Sequence, residues 1–235
     1  MTFEGSEYIP GLPQLARVDV LPGTPEEAVA ALASIHLENF QAHYAHAAAD
    51  FRNTWRRGLS DPDIIEHQWL LLLDGSPAGE CVFHVNIRRR VVARHFLAMN
   101  RSARRALVPD WIAAVMAAAA ETALQDAESR GVSLFGMMSE ITPAHAAGWR
   151  ALGHVQPDID YREPLHGNYW REFGDLTFVP MVANILPFPS GREAGLGVIA
   201  EAGVRAFLLD YYGVPESDPT FQAIIDRCRH VPPAW

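Results

Sequence analysis

His84 and His95 sit in two successive apolar stretches, residues 80–87 and 91–99. Read as neighbouring strands, these stretches put one imidazole on each, and a neutral imidazole can take a proton from an amine near pH 7. Alternation along 91–99 puts Ala93, His95 and Leu97 on one face. A histidine satisfied inside a sheet face uses the same residue types and is the commoner case, so both readings of His95 stand. Glu140, just past an apolar stretch at 132–139, is a second candidate base, and a carboxylate there can equally cap a following helix. His36, His43, His46 and Asp50 would share one quadrant of a helix that ran through all four, a spacing able to hold a metal. No HExxH or ExxH motif accompanies them, and His36 and His43 share their face with Val29, Leu32 and Phe40. Packed or acceptor-facing histidines are the expectation, and no metal.

The 19 basic residues are all arginines among 235 residues with a net charge of -9. Lysine chemistry is therefore excluded: no Schiff base, no lysine base, no P-loop lysine. Net acidity also argues against nucleic acid as a partner. Arg88, Arg89 and Arg90 precede the 91–99 stretch, and Arg101, Arg104 and Arg105 follow it. They can meet phosphates through charge-assisted hydrogen bonds, or stand as solvated surface paired with some of the 28 acidic residues. Cys81 and Cys228 form no CxxC pair. No apolar run reaches the roughly 20 residues of a membrane span. The start, Met1 to Glu7, has neither the basic flank nor the apolar run of a signal peptide, so no membrane association and a cytoplasmic location are expected.

The elements that must position these groups follow from period and punctuation. A short strand is expected at 15–21. Thr24, Pro25 and Glu27 open a helix with a capping box, running to about Ala45. A second helical stretch at 50–57 ends at Gly58. Residues 68–73 and 80–87 flank a turn at 74–79 and form a hairpin, with 91–99 as the third strand. Pro109 opens a long Ala-rich helix to Arg130, closed by Gly131. A buried strand at 132–139, a helix at 143–152 ended by Gly153, and strands at 158–162 and 176–185 complete the main body. Beyond Pro187 come a glycine-interrupted helix at 193–212 and a segment at 221–228. Two regions result: a main α/β domain, 1–187, and a C-terminal helical extension, 188–235. Phe207, Leu208, Leu209, Tyr211, Tyr212, Phe221 and Ile225 carry too much apolar surface for that extension to stand in water. It should pack on the main domain or on a second copy, as in a homodimer.

Two segments resemble the GNAT N-acetyltransferases. His95-Phe-Leu-Ala-Met-Asn-Arg-Ser-Ala-Arg-Arg-Ala-Leu-Val-Pro-Asp-Trp-Ile-Ala-Ala-Val-Met is similar to that family's strand, pyrophosphate loop and helix. Ala146-Ala-Gly-Trp-Arg-Ala-Leu-Gly-His is similar to its later helix. The resemblance covers roughly residues 15–187. It implies a GNAT-type mixed central sheet flanked by helices, with the 91–99 strand beside the 132–139 strand and the two splayed at their C-terminal ends. It implies transfer of an acyl group from acetyl-CoA, as co-substrate, to an amine of a small molecule or peptide, with His95 or Glu140 taking the proton. Acetyl-CoA would lie against Leu97, Met99, Arg104, Arg105, Leu107 and Trp149. Arg104 falls at the Q/R position of the family's Q/R-x-x-G-x-G/A loop, while Leu107 and Pro109 stand at its glycine positions. Trp149 stands where many members carry a tyrosine that protonates the departing thiolate, Thr142 near a frequent Asn, and His154 replaces Phe. Leu107, Pro109 and Trp149 favour an alternative: a GNAT-like domain without catalysis, serving as a ligand-binding or interaction module.

Overall fold

A computed structural model describes residues 3–40, 44–58, 61–107, 110–174 and 176–232. A seven-stranded sheet runs in the order β1 (Glu7–Ile9), β2 (Leu12–Asp19), β3 (Ile64–Leu73), β4 (Ser76–Asn86), β5 (Val91–Met99), β6 (Gly136–Ile141), β9 (Val182–Pro187). A separate two-stranded ribbon pairs β7 (Arg162–Pro164) with β8 (Phe178–Pro180). β5 and β6 are parallel, as a strand–helix–strand connection requires, and β6 and β9 are antiparallel. The sheet is thus mixed, and helices flank it. The chain gathers into two compact units: Met1–His84 with His95–Ala123, and Val85–Arg94 with Leu124–Trp235.

In the first unit, β3 and β4 join through Asp74 and Gly75, whose φ values are 48° and 77°. Two successive positive φ angles make the tight hairpin turn that Asp-Gly favours. The expected six-residue turn is therefore only two residues, and both strands are longer than expected. α1 (Glu26–Asn39) and α2 (Ala47–Arg57) pack on the sheet. Val29, Leu32, Ile35 and Phe51 share a core there with Val18, Leu70, Leu72, Val82 and Phe96. Each such side chain contributes roughly 1.5–3 kcal/mol by leaving water. α1 is shorter than the 24–45 span. Thr24 does not cap it: its hydroxyl donates to Leu21 O (2.9 Å), and no side chain caps the helix start. Past Asn39 the backbone is extended at Phe40. Asn39 turns its amide back to Ile35 O (2.8 Å) and across to Asn100 Oδ1 (3.1 Å). The four-residue quadrant of the long helix therefore does not form. His36 belongs to α1, His46 precedes α2, and His43 lies outside the described residues.

After β5, whose bounds match expectation, the chain forms α3 (Arg101–Ala106) where the resemblance implied a loop. The long helix follows as α4 (Trp111–Ser129), closed by Gly131 at φ 68°. Pro109, its expected opening residue, lies outside the described residues.

In the second unit, β6 starts at Gly136, later than expected, and takes in Glu140 and Ile141. A Cβ at Gly136 would sit 2.7 Å from Leu186 O, so only glycine lets β9 approach so closely. Glu140 is thus inside a strand and caps no helix. α5 (Ala146–Ala151) follows a 3₁₀ turn at Pro143–His145. The strands expected at 158–162 and 176–185 are displaced: Pro180 ends β8, and the chain then joins the main sheet as β9. α6 (Pro189–Ala194), α7 (Leu196–Val204), a π-helical stretch Arg205–Tyr211 and α8 (Pro219–Arg229) complete the unit. Ile199, Val204, Phe207, Phe221 and Ile225 are buried in one core with Val91, Ala93, Met138 and Ile185. The chain beyond Pro187 is therefore built into this unit, as its apolar content requires.

The π-helical stretch delivers Asp210 to the β4–β5 turn. Arg89 Nε and Asn86 Nδ2 donate to Asp210 Oδ2 at 2.9 and 2.8 Å, and Arg88 lies 3.5 Å from Oδ1. Burial alone would raise this carboxyl, but the Arg89 and Asn86 hydrogen bonds, with the Arg89 and Arg88 charges, hold it below its usual range. Arg90 instead donates to Ser133 O (2.8 Å) and covers the Phe135 ring. The triple-arginine turn is thus structural. Replacing Asp210 by Ala strands the buried ends of Arg89 and Asn86. A loss of about 2–4 kcal/mol is expected, read as a clear fall in thermal midpoint, whereas Arg162→Ala, on an exposed pair with Asp160, should change it little.

Candidate functional site

The parallel ladder of β5 and β6 runs from Val91↔Gly136 to Arg94↔Ser139 and stops. β5 continues to Met99 and β6 to Ile141. Along His95–Met99 the backbone groups of β5 that face away from β4 therefore meet no strand among the described residues. Unpaired strand amides are strong donors needing an acceptor.

His95 is the first residue past the last rung. It is half-buried, and its Nε2 lies 2.8 Å from Nδ1 of the buried His84. The two rings are tilted at 36° with centroids 4.9 Å apart. The two histidines, expected on neighbouring strands, are in direct contact.

Further along β5, Leu97 is half-buried and Met99 is buried. α3 then shows how the chain departs from a glycine loop. The Arg104 amide donates to Asn100 O (2.9 Å) and the Leu107 amide to Ala103 O (3.1 Å), so neither is left to cradle an anion. Leu107 is buried and packs as core. Arg104 and Arg105 are exposed, and among the described residues neither forms an ion pair with a carboxylate. A cavity of about 280 Å³ lies on the opposite side of α3, lined by Ser102, Ala103, Ala106 and Asn100 together with Ser76 and Ala78. Phosphates meeting this segment would thus meet the Arg104 and Arg105 guanidinium groups rather than the Arg104 and Leu107 amides. The residues fit an anion by charge.

In the second unit, the last rung is tied to α5. The Arg94 guanidinium lies over the Trp149 ring at 4.7 Å, and Trp149 meets His154 edge-on at 4.8 Å. Asn184 Nδ2 donates to His154 Nδ1 (2.8 Å) and to Ser139 Oγ (3.1 Å). Burial, and then the Arg94 charge, push His154 down to about 4, so it stays neutral and accepts. Trp149 is a half-buried platform for Arg94 and offers no hydroxyl.

Glu140 is in a different state. Tyr161 donates to its Oε1 and Tyr212 to its Oε2. Burial first, and then the neighbouring Glu163, raise its carboxyl well above the usual range against those two hydrogen bonds. Its ionised form is opposed by burial and by that second carboxyl, while the two phenolic donors hold it in place. Tyr212 comes from beyond residue 187 and Glu163 from β7, and no local pattern foretold either. Glu66 is a third perturbed carboxyl, pushed up to about 7 by burial and by Asp50 and Asp19. The buried His36, bonded to Glu80 Oε1 (3.2 Å) and Tyr44 O (2.9 Å) and stacked on Phe40, is a core histidine. Among the described residues no group of three or more His, Cys, Asp or Glu could hold a metal, and no helix is long and apolar enough to cross a membrane.

His154 and Glu140 should act on stability with opposite signs. His154, lowered from 6.5, contributes fully above about pH 6.5 and loses its contribution as pH falls toward 4, on the order of 3 kcal/mol. Thermal midpoints of His154→Gln against pH should show a flatter acid limb than wild type. Glu140, raised from 4.5, contributes below that pH and less as pH rises. Glu140→Gln should therefore gain on wild type from pH 5 to 8. A constant gap between wild type and either variant would refute the assigned state.

No protein-family model matches the chain, and no curated protein matches it in sequence. Solved structures do. A protein described as a GNAT-family acetyltransferase, from Bacteroides thetaiotaomicron, superposes with a TM-score of 0.54 at 15% identity, covering 78% of this chain and 91% of its own. Another described as an acetyltransferase gives 0.47 at 14% identity, covering 77% and 96%. At such identity the first likeness is one of architecture, and it agrees with the seven-stranded mixed sheet flanked by helices: the fold of this chain is that of the GNAT acetyltransferases.

Proposed function

We propose that the chain is an acyl-CoA-dependent N-acyltransferase, with acetyl-CoA as donor and an amine of a small molecule or peptide as acceptor. The observation that carries this reading is the early end of the β5–β6 ladder, with a histidine as the next residue. Released β5 amides can donate to a thioester carbonyl oxygen as charge builds on it, and fixed donors of this kind are among the strongest sources of acceleration. His95 takes the proton that the amine gives up as the C–N bond forms and the C–S bond breaks. Acetyl-CoA, when bound, supplies the activated acyl carbonyl. Arg104 and Arg105 would hold its phosphates, and Leu97 and Met99 would flank its path along β5. Trp149 stays with Arg94, so the departing thiolate takes its proton from water or from the histidine.

A second reading is a module that binds a ligand or a partner without turnover. The spent Arg104 and Leu107 amides and the absence of a hydroxyl on Trp149 favour it. Titration with acetyl-CoA separates the two when followed by release of free thiol in the presence of a panel of amines. At 100 times its dissociation constant a ligand stabilises by about 2.7 kcal/mol, well within reach of a thermal shift. Binding with thiol release supports the enzyme, binding alone supports the module, and no binding removes both acyl-CoA readings.

Charge-assisted contacts contribute roughly 1.5–3 kcal/mol each, so Arg104→Ala should weaken acetyl-CoA binding by about 10-fold or more. Arg90→Ala should not, because Arg90 is engaged with Ser133 and Phe135. Equal affinity for wild type and Arg104→Ala in calorimetry would discard the arginine cradle. Leu107→Gly is a poor probe, since it removes a buried side chain.

A further inference from the structure

His36 on α1 and Glu80 on β4 are both wholly buried, and their neighbours decide how many protons the pair can hold. His36 Nε2 lies 2.9 Å from the Tyr44 carbonyl oxygen, which can only accept, so that nitrogen carries a hydrogen. On the other side of the ring, Nδ1 lies 3.2 Å from Glu80 Oε1. The rings of Phe40, Phe51 and Phe96 enclose the imidazole at centroid distances of 4.8, 5.2 and 4.5 Å. Glu80 Oε2 is buried and has no hydrogen-bond partner among the described residues. With no proton between them, the Nδ1 lone pair faces a buried carboxylate that has no other donor, an unpaired buried charge. With two, the acid proton falls on Oε2, where no acceptor meets it, and the imidazolium is left without a counter-charge. With one, the Nδ1–Oε1 hydrogen bond is made whichever atom carries the proton, and the pair is neutral overall. Burial raises the Glu80 carboxyl, against the hydrogen bond and charge of His36, and among the described residues no other titratable group bears on it. The side chains around the ring from α2 and β5 are the phenyl groups of Phe51 and Phe96, and beside Phe40 and Phe96 stands the ring of Tyr44, the further ionisable group there.

We infer that His36 and Glu80 form a one-proton lock: α1 docks on the sheet with a single proton held between Nδ1 and the carboxyl, and the docking weakens as pH rises past the range where a free histidine loses its proton. The lock is independent of the acyltransferase reading. Proton counts in the docked and undocked states set its sign. Once α1 is undocked, His36 and Glu80 titrate as free groups, near about 6.5 for the imidazole and 4.5 for the carboxyl. Between those values the undocked pair also holds one proton, so the lock adds no pH dependence. Above them the undocked pair holds none while the docked pair keeps its proton. Each further pH unit then favours undocking about tenfold, until the docked pair gives up its own proton. The pair therefore ties the first helix to the sheet firmly in mildly acidic solution and progressively less firmly in alkaline solution.

Glu80→Gln replaces the shared proton by an amide N–H of nearly the same shape, which donates to a neutral His36 Nδ1 and cannot be lost. The variant should therefore show no alkaline weakening. It should weaken below about pH 6.5 instead, where an undocked His36 takes up a proton that the docked ring has no place for. Amide hydrogen exchange of the α1 residues Leu32–His36, in the full chain of wild type and Glu80→Gln from pH 5 to 8, gives the opening constant of the helix at each pH. Titrations common to both proteins cancel in the ratio. The expected result is a wild-type to variant ratio of opening constants that rises about tenfold per pH unit across the range. A ratio that is constant, or that falls as pH rises, overturns the lock. Should Glu80→Gln fail to dock α1, the wild type decides alone, through the ¹³C shift of the Glu80 carboxyl and the ¹⁵N shifts of the His36 ring near pH 8. A hydrogen on Nε2 and a single proton between Nδ1 and the carboxyl support the lock. A bare Nδ1 opposite an ionised carboxyl, or an imidazolium opposite a carboxylic acid, overturns it.

Discussion

The parallel ladder between β5 and β6 ends at Arg94↔Ser139, and most of what is chemically distinctive follows from that rung. A strand inside a sheet normally spends every backbone group on its neighbours. Here β5 is paired on both sides only as far as Arg94. The two residues of the last rung are themselves held by side-chain contacts: Arg94 lies over Trp149, and Ser139 bonds to Asn184, which also holds His154. Such a network specifies where pairing stops, because polar groups without those partners would be costly to bury. The helix α5 is therefore less a lid than a brace for the rung.

Buried ionisable groups divide into those that steady the architecture and one pair suited to proton transfer. Asp210 is gripped by Arg89 and Asn86; Glu140 is held by two tyrosine hydroxyls, its carboxyl raised by burial and by Glu163; His154 is neutral between Asn184 and Arg94. Each has its charge state decided by its surroundings, which is what a structural role requires. Glu140 and Asp210 both depend on the stretch Arg205–Tyr212, which supplies Tyr212 and Asp210. A seven-residue π-helical run is uncommon, and its backbone is what places these two side chains on their partners. The extension beyond residue 187 thus completes the polar interior of its unit as well as the apolar one.

How much of this was legible varies with the range of the interaction. The bounds of β5 could be read because a β-branched, apolar run is fenced by Arg88–Arg90 on one side and by Asn100 on the other. The Asp74–Gly75 turn announced its hairpin for the same local reason. α3 was not read, although Arg101–Ala106 is all arginine, serine and alanine with no breaker. Intrinsic propensity favours a helix there, and the family resemblance pulled the reading toward a loop. The late start of β6 turned on Gly136, whose lack of a side chain matters only once β9 lies against it. Tyr161, Glu163, Tyr212 and Asp210 reach their partners from other elements, so spacing along the chain carried no trace of them. That His84 and His95 lie on adjacent strands could be read, but not that their rings meet.

Of the two candidate bases read from sequence, the surroundings separate them. Glu140 faces two phenolic donors and a second carboxyl, so ionising it places a charge where burial and Glu163 oppose it. Those surroundings oppose the ionised form, which is the form that would have to take a proton from an amine. His95 has a neighbour that can donate or accept, and its unprotonated form is neutral, so presenting a lone pair requires no buried charge beforehand. In the proposed reaction the charge would appear only as the amine gives up its proton, and then beside the His84 ring. That order of events, a neutral site becoming cationic as bonds change, is the arrangement in which a protein environment favours the reacting state over the resting one.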